Sequence, residues 1–157
     1  MSEFTHKEAV QRIGKWLRNT RQCGVVMLEL STAVSETPDA IGFYGGGNSI
    51  LVECKVSRAD FLADSGKLFR RQMDFGMGDF RYYAAPVGLI SENELPDYWG
   101  LLEIYNRCVQ EKIKAKMQDA SKRNEVKMLM SAIRRLELST AVFVKHEENP
   151  TQNADKL

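Results

Sequence analysis

Residues 37–64 read "TPDAIGFYGGGNSILVECKVSRADFLAD". Two apolar runs flank a glycine turn, the pattern of a β-hairpin, since glycine reaches the positive φ angles that tight turns need. Each run carries charge where a hairpin inside a sheet would be expected to pack. Asp39 lies in the first run, Glu53 and Lys55 in the second. Residues two apart in a strand share a face. Ile50, Val52, Cys54 and Val56 therefore form one apolar face, and Leu51, Glu53 and Lys55 form the other. Asp39 shares a face with Ile41 and Phe43. It joins Glu53 and Lys55 only if odd residues pair with odd ones. Tyr44 opposite Asn48, with Gly45, Gly46 and Gly47 as a three-residue loop, gives that register and sets Asp39 opposite Glu53. A five-residue loop over 45–49 does the same. Loops of two or four residues send Asp39 to the other face unless a bulge intervenes.

Two carboxylates held a few ångströms apart repel, and a cation resolves the conflict. Hard oxygen donors without histidine or thiolate suit Mg²⁺ or Mn²⁺. Lys55 is then placed to orient or deprotonate a water at the metal, or to offset charge developing on phosphorus. The combination points to phosphodiester hydrolysis.

The rest of the chain is compatible with that chemistry. Its 157 residues suggest one domain, spanning 1–145, with 146–157 as a flexible tail. A composition 43% hydrophobic and 27% charged fits a globular protein and excludes a disordered one. The formal net charge is +1, so a nucleic-acid surface has to come from local clustering of lysine and arginine. Cys23, Cys54 and Cys108 are scattered and odd in number, which argues against a zinc site and a disulfide framework and for a reducing cytoplasm. "MSEFTHKEAVQRIGKWLRN" has no apolar signal core, and no stretch is long enough to span a membrane.

Thr5-x-x-Glu8 reads as a capping box opening a helix to about Arg18, with Ala9, Val10, Ile13, Trp16 and Leu17 inward. Strands follow at Val25–Leu30, around "PDAIGFY", and over "SILVECKV". Ser57-x-x-Asp60 opens a second helix, whose Phe61, Leu62, Leu68 and Phe69 face the core. "FRYYAA", "WGLLEIY" and Cys108–Met117 read as further strands, the last two joined at Asn106-Arg107 with lysines 112, 114 and 116 on the solvent side. Asn124 caps a last helix, with Val126, Leu129, Met130, Ile133 and Leu136 on its inner side. Long helices beside a mixed sheet put the chain in the α/β or α+β class.

Pro38-Asp39 followed by Glu53-Cys54-Lys55 resembles the motif of the PD-(D/E)XK nuclease superfamily, and the helix-strand-strand-strand-helix-strand order is similar to its core. More narrowly, "ECKVSRADFLAD", "RYYAAPVGLI" and "ELPDYWGLLEIY" resemble the MmcB-like branch and its phage-borne relatives, a branch associated with DNA repair. The similarity runs from Leu28 to Tyr105, with a weaker echo in "NEVKMLMSAIRRL". It implies a restriction-endonuclease-like core with a central mixed sheet flanked by helices. It also implies that Asp39, Glu53 and the backbone carbonyl of Cys54 ligate Mg²⁺ or Mn²⁺, and that Lys55 is the catalytic lysine. Some members add an acid from the first helix or strand, for which Glu8 and Glu29 are the candidates, Glu8 also being read as a capping residue. Some carry a glutamine-tyrosine pair on the second helix; Gln72 is present, but Gly76 stands where the tyrosine would be.

The expected function is a metal-dependent deoxyribonuclease in DNA repair or phage DNA metabolism. The alternative is a non-catalytic DNA-binding or scaffold protein that keeps the fold. DNA is the expected partner, with no membrane; the oligomeric state stays open, a homodimer included. Arg58, Lys67, Arg70 and Arg71 along the second helix, with Arg81 on the next strand, are the expected phosphate contacts, ahead of the basic run from Arg107 onward. Cys54, Tyr82, Tyr83 and Trp99 read as core.

Overall fold

The first helix begins where its cap closes. Thr5 Oγ1 accepts from the Glu8 N–H at 3.2 Å, and the Glu8 carboxylate accepts from the Thr5 N–H at 2.8 Å. This reciprocal cap satisfies two backbone donors that a helix start would otherwise leave unpaired. Helix α1 spans His6–Asn19 and buries Ala9, Val10, Ile13, Trp16 and Leu17, the stripe its spacing predicts. A computed structural model of the chain describes residues 4–34, 36–64 and 76–136.

Among these residues six strands form one sheet: β1 (Val25–Leu28), β2 (Ala40–Tyr44), β3 (Asn48–Cys54), β4 (Phe80–Pro86), β5 (Gly100–Ile104) and β6 (Val109–Ile113). They lie side by side in chain order. The β1–β2, β2–β3 and β5–β6 pairs are antiparallel, whereas β3–β4 and β4–β5 are parallel. A parallel pair needs a crossover. Helix α2 (Arg58–Asp64) lies on the first crossover, and its start is held by Ser57 Oγ accepting from the Asp60 N–H at 3.2 Å. The fold is α+β, a mixed sheet flanked by helices, in the helix and strand order expected through β4.

Even-numbered residues of β3 and β4 (Ile50, Val52, Cys54, Tyr82, Ala84) meet the apolar stripe of α1. Odd-numbered ones (Leu51, Tyr83, Ala85) face the other layer, with Phe61, Ile90, Trp99 and Met128. The Cys108–Met117 strand is shorter than expected, ending at Ile113. Its turn closes as read, the Tyr105 N–H donating to the Cys108 carbonyl at 2.8 Å. No helix of the described residues is long and apolar enough to cross a membrane.

The last helix, α3 (Lys122–Arg135), departs from its sequence reading. Ser121, not Asn124, is the cap. Met128 is buried, whereas Val126, Met130, Ile133 and Leu136 are exposed. A polar anchor sets this rotation. The Glu125 carboxylate is buried and accepts from the Ser49 hydroxyl at 2.5 Å and the Gly78 N–H at 2.9 Å. The Lys122 amine adds bonds to Asp79 at 2.6 Å and Glu125 at 2.9 Å. These ties turn the Glu125–Met128–Leu129–Ala132 side inward. On α2, Phe61 packs as read but Leu62 is exposed; Leu68, Phe69 and the tail over 146–157 lie outside the described residues.

Glu125→Ala should therefore destabilise the protein by about 1–3 kcal/mol, because it leaves the buried Gly78 N–H without its acceptor. Met130→Ala, at an exposed position, should cost no more than about 0.5 kcal/mol. Urea unfolding of both variants checks the anchor; equal losses would overturn it.

Candidate metal centre

The β2–β3 register decides which groups meet. Tyr44 pairs with Asn48 and Ala40 with Val52, so odd residues oppose odd residues across a three-glycine loop. Gly46 and Gly47 take φ of 71° and 83°, the left-handed region in which a side chain is strained. Asp39 precedes β2, and its Oδ2 accepts from the Cys54 N–H at 2.7 Å. The Asp39 carboxylate is thus fixed against the residue between Glu53 and Lys55.

Its other oxygen faces a different group. Asp39 Oδ1 is 3.3 Å from His6 Nε2, and the same nitrogen is 3.3 Å from Glu29 Oε1. One donor atom from each of His6, Glu29 and Asp39 lies within 4.8 Å of the other two. His6 comes from the first turn of α1. Glu29 comes from the residue after β1, where φ is 49° and the chain leaves the strand direction; its N–H donates to the Asp39 carbonyl at 2.9 Å. Ligands about 2.1 Å from a small divalent ion stand at most about 4.2 Å apart, so both 3.3 Å pairs fit one ion. The donor set differs from the all-oxygen set expected. One imidazole with two carboxylates suits Mn²⁺ as well as Mg²⁺, since imidazole is a better ligand for the transition metal.

Glu53 belongs to a second, inner cluster. Glu53, Lys55 and Asp64 are 3%, 4% and 1% exposed. Lys55 Nζ lies 3.3 Å from Asp64, 3.8 Å from Glu53 and 4.0 Å from Asp60. The Tyr83 hydroxyl donates to the other Asp64 oxygen at 2.6 Å. The outer His6–Glu29–Asp39 group and the inner Glu53–Lys55–Asp64 group therefore meet at the backbone of Cys54. Burial, then the Asp39 and Glu53 carboxylates, push the Cys54 thiol well above its ordinary pKa, which leaves it an inert core group.

Two residues here escaped sequence reading. His6 shows no local signal, because only the packing of α1 across the sheet brings it to Asp39. Asp64 did leave one: it stands four residues after Asp60, the spacing that puts both carboxylates on one side of α2. Of the two candidate extra acids, Glu29 joins Asp39. Glu8 stays with the cap, where the Thr5 backbone N–H and then its hydroxyl hold the carboxylate below its ordinary range.

Of the expected phosphate contacts, Arg58 and Arg81 have protein partners. The Arg58 guanidinium grips Glu94 with both prongs, at 2.6 and 2.9 Å, and also donates to the Leu89 carbonyl at 3.0 Å. It clamps α2 to the β4–β5 crossover. Arg81 is buried on a central strand covered on both faces, donating to the Gly78 and Asp119 carbonyls at 3.1 and 3.3 Å. It is out of reach of a large ligand. Lys67, Arg70 and Arg71 lie outside the described residues.

No family model matches the chain, and no curated protein does. A solved structure does: a protein of unknown function, SPO1766, from Silicibacter pomeroyi. It is 26% identical over 87% of this chain and 92% of that one, with a TM-score of 0.65.

The Arg58–Glu94 clamp carries a pH signature. Arg58, then the Ser91 backbone N–H, hold the Glu94 carboxyl at about 2, below its ordinary 4.5. A carboxylate with a depressed folded pKa stabilises above its unfolded pKa and loses that contribution as pH falls through the folded value. The stability difference between wild type and Glu94→Gln should be constant above pH 4.5 and shrink between 4.5 and 2. A difference flat across that window would show that the clamp contributes nothing.

Proposed function

We propose that the protein is a metal-dependent nuclease that hydrolyses DNA phosphodiester bonds in the cytoplasm, in DNA repair or phage DNA metabolism. One observation carries this reading: Asp39 is hydrogen-bonded to the N–H of Cys54, the residue between Glu53 and Lys55, while its other oxygen faces His6, whose imidazole also meets Glu29. Asp39 with His6 and Glu29, and Glu53 with the Cys54 carbonyl, would hold Mg²⁺ or Mn²⁺. When bound, the ion supplies charge neutralisation at the phosphate and activation of the attacking water. Lys55 offsets the negative charge that builds on the phosphate oxygens. Asp64 and Glu53 keep the amine in place, and Tyr83 fixes Asp64. The three free cysteines suit the reducing compartment.

A second reading, a DNA-binding or scaffold protein without hydrolysis, draws on the burial of Lys55 at 4% exposure beside Asp64, since such a group also serves as a structural ion pair. Incubation of single-stranded, duplex, flap and branched DNAs with Mg²⁺ or Mn²⁺ separates the two. Lys55→Ala should lower cleavage by about 10²–10³-fold and keep most DNA affinity. Equal cleavage by wild type and Lys55→Ala removes the assigned role, and failure to cut any substrate leaves the scaffold reading.

The metal set has its own test, independent of cleavage. His6→Ala should weaken Mn²⁺ binding, measured by calorimetry, at least about tenfold, the lower range for losing even an outer partner of a ligand. Glu8→Gln, at the cap, should leave it unchanged. Unchanged affinity in His6→Ala would make the His6–Asp39–Glu29 contacts an ion pair only.

A further inference from the structure

Among the described residues, Arg58 and Arg81, expected to hold DNA, are engaged elsewhere, which raises the question of what else could hold it. Arg58 is on Glu94, Arg81 is buried, and Lys55 lies inside the inner cluster. Lys112 pairs with Glu103, and Lys122 with Asp79 and Glu125. One element of the candidate centre carries exposed cations without such partners. Lys7, Lys15 and Arg18 on α1 are exposed and make no hydrogen bond or ion pair among the described residues.

Their spacing is ordered. Positions 7, 11, 15 and 18 follow i, i+4, i+8 and i+11, which lines Lys7, Gln11, Lys15 and Arg18 along one side of the helix. The row is about 16 Å long at 1.5 Å per residue. Its first residue, Lys7, follows His6 in the chain, turned about 100° round the helix from the imidazole that reaches Asp39. Residues 6–21 hold five lysines and arginines against Glu8 alone, in a chain whose net charge is only +1. Lys15 stands on a ridge between two grooves of about 270 and 250 Å³. Arg12 and Arg107 line the first groove; Gln11 and Arg18 line the second.

We propose that the outer face of α1 is the track for the DNA backbone, with Lys7, Lys15 and Arg18 as its phosphate contacts. The identity of the ligand rests on the nuclease reading, but the surface does not depend on hydrolysis. Duplex DNA presents one negative charge per about 1.7 Å of axis, so a 16 Å row of cations faces several phosphates. Backbone contacts of this kind carry no sequence information, so binding is general.

The test is binding of a labelled duplex by fluorescence anisotropy in EDTA, between 50 and 200 mM salt. The variants are a triple Lys7→Ala, Lys15→Ala, Arg18→Ala and a control double Lys114→Ala, Lys116→Ala. All five positions are exposed, and circular dichroism verifies folding. The triple variant should reduce the log–log salt slope by about two to three units and lower affinity at least tenfold, while the double variant should keep both near wild type. A triple variant with wild-type slope and affinity, a double variant that loses more than the triple, or a wild type that binds no duplex would each overturn the surface. Loss of binding in the triple with no cleavage by wild type in Mg²⁺ or Mn²⁺ would support the surface and count against the nuclease reading.

Discussion

A single hydrogen bond joins the start of one strand to the end of its neighbour. The Asp39 carboxylate accepts from the Cys54 N–H at 2.7 Å, and at the other end of the hairpin the Asn48 amide donates to the Gly45 carbonyl at 2.8 Å. Between these two pins the register cannot slip. A slip of one residue would exchange the faces of a whole strand, taking Ile41 out of one layer and Ala40 out of the other. The bond uses backbone, not side chain, at position 54. Cys54 is thereby free to fill the α1 layer, where it is fully buried. The same contact holds the Asp39 carboxylate and leaves one oxygen facing outward.

Core packing extends into the inner cluster by a short chain of contacts. Trp99 stacks on Tyr83 with centroids 4.6 Å apart, and Phe61 meets the same ring edge-on at 5.2 Å. These rings fix where the Tyr83 hydroxyl points, and it points at Asp64, which in turn holds Lys55. A buried amine stripped of its carboxylate is costly, about 3–5 kcal/mol for a broken buried pair. Lys55 is therefore held by groups that are themselves immobilised by aromatic packing, a rigid support for a group whose position matters.

Sequence reading succeeded where the signal was local. Strand parity and three glycines narrowed the β2–β3 register to two odd loops, of which the three-residue one forms, and Thr5 with Glu8 marked the start of α1. Asn106-Arg107 marked the β5–β6 turn. It failed where a buried polar group overrode the apolar pattern. Glu125 turned α3 about its axis, so that Met130 and Ile133, apolar by type, face outward. Arg81 looked like a surface cation because residue type says nothing of the carbonyls that hold it in the interior, on Gly78 three residues back and on Asp119, 38 residues on. Arg58 found Glu94 across the crossover, 36 residues away. Of the candidate centre, Asp39, Glu53 and Lys55 were readable from alternation and residue type, and Glu29 only as one of two acids that the family resemblance offered; His6 was not, because its partner lies 33 positions on and on another element.

Glu8 shows how a residue proposed as a ligand can act one step removed. Its carboxylate caps α1 by bonding the Thr5 N–H at 2.8 Å, and Thr5 is the residue before His6. The cap fixes where the first turn begins and hence the direction in which His6 leaves the helix. The inner stripe of α1, seated on Cys54, Val52 and Ala84, fixes the height of that turn above the sheet. Three constraints thus converge on one imidazole: a cap that sets its angle, a core that sets its depth, and a hairpin register that sets where Asp39 waits. Loosening any one of them moves Nε2 away from the two carboxylates. The outer cluster therefore depends on the fold as a whole and not on the hairpin alone.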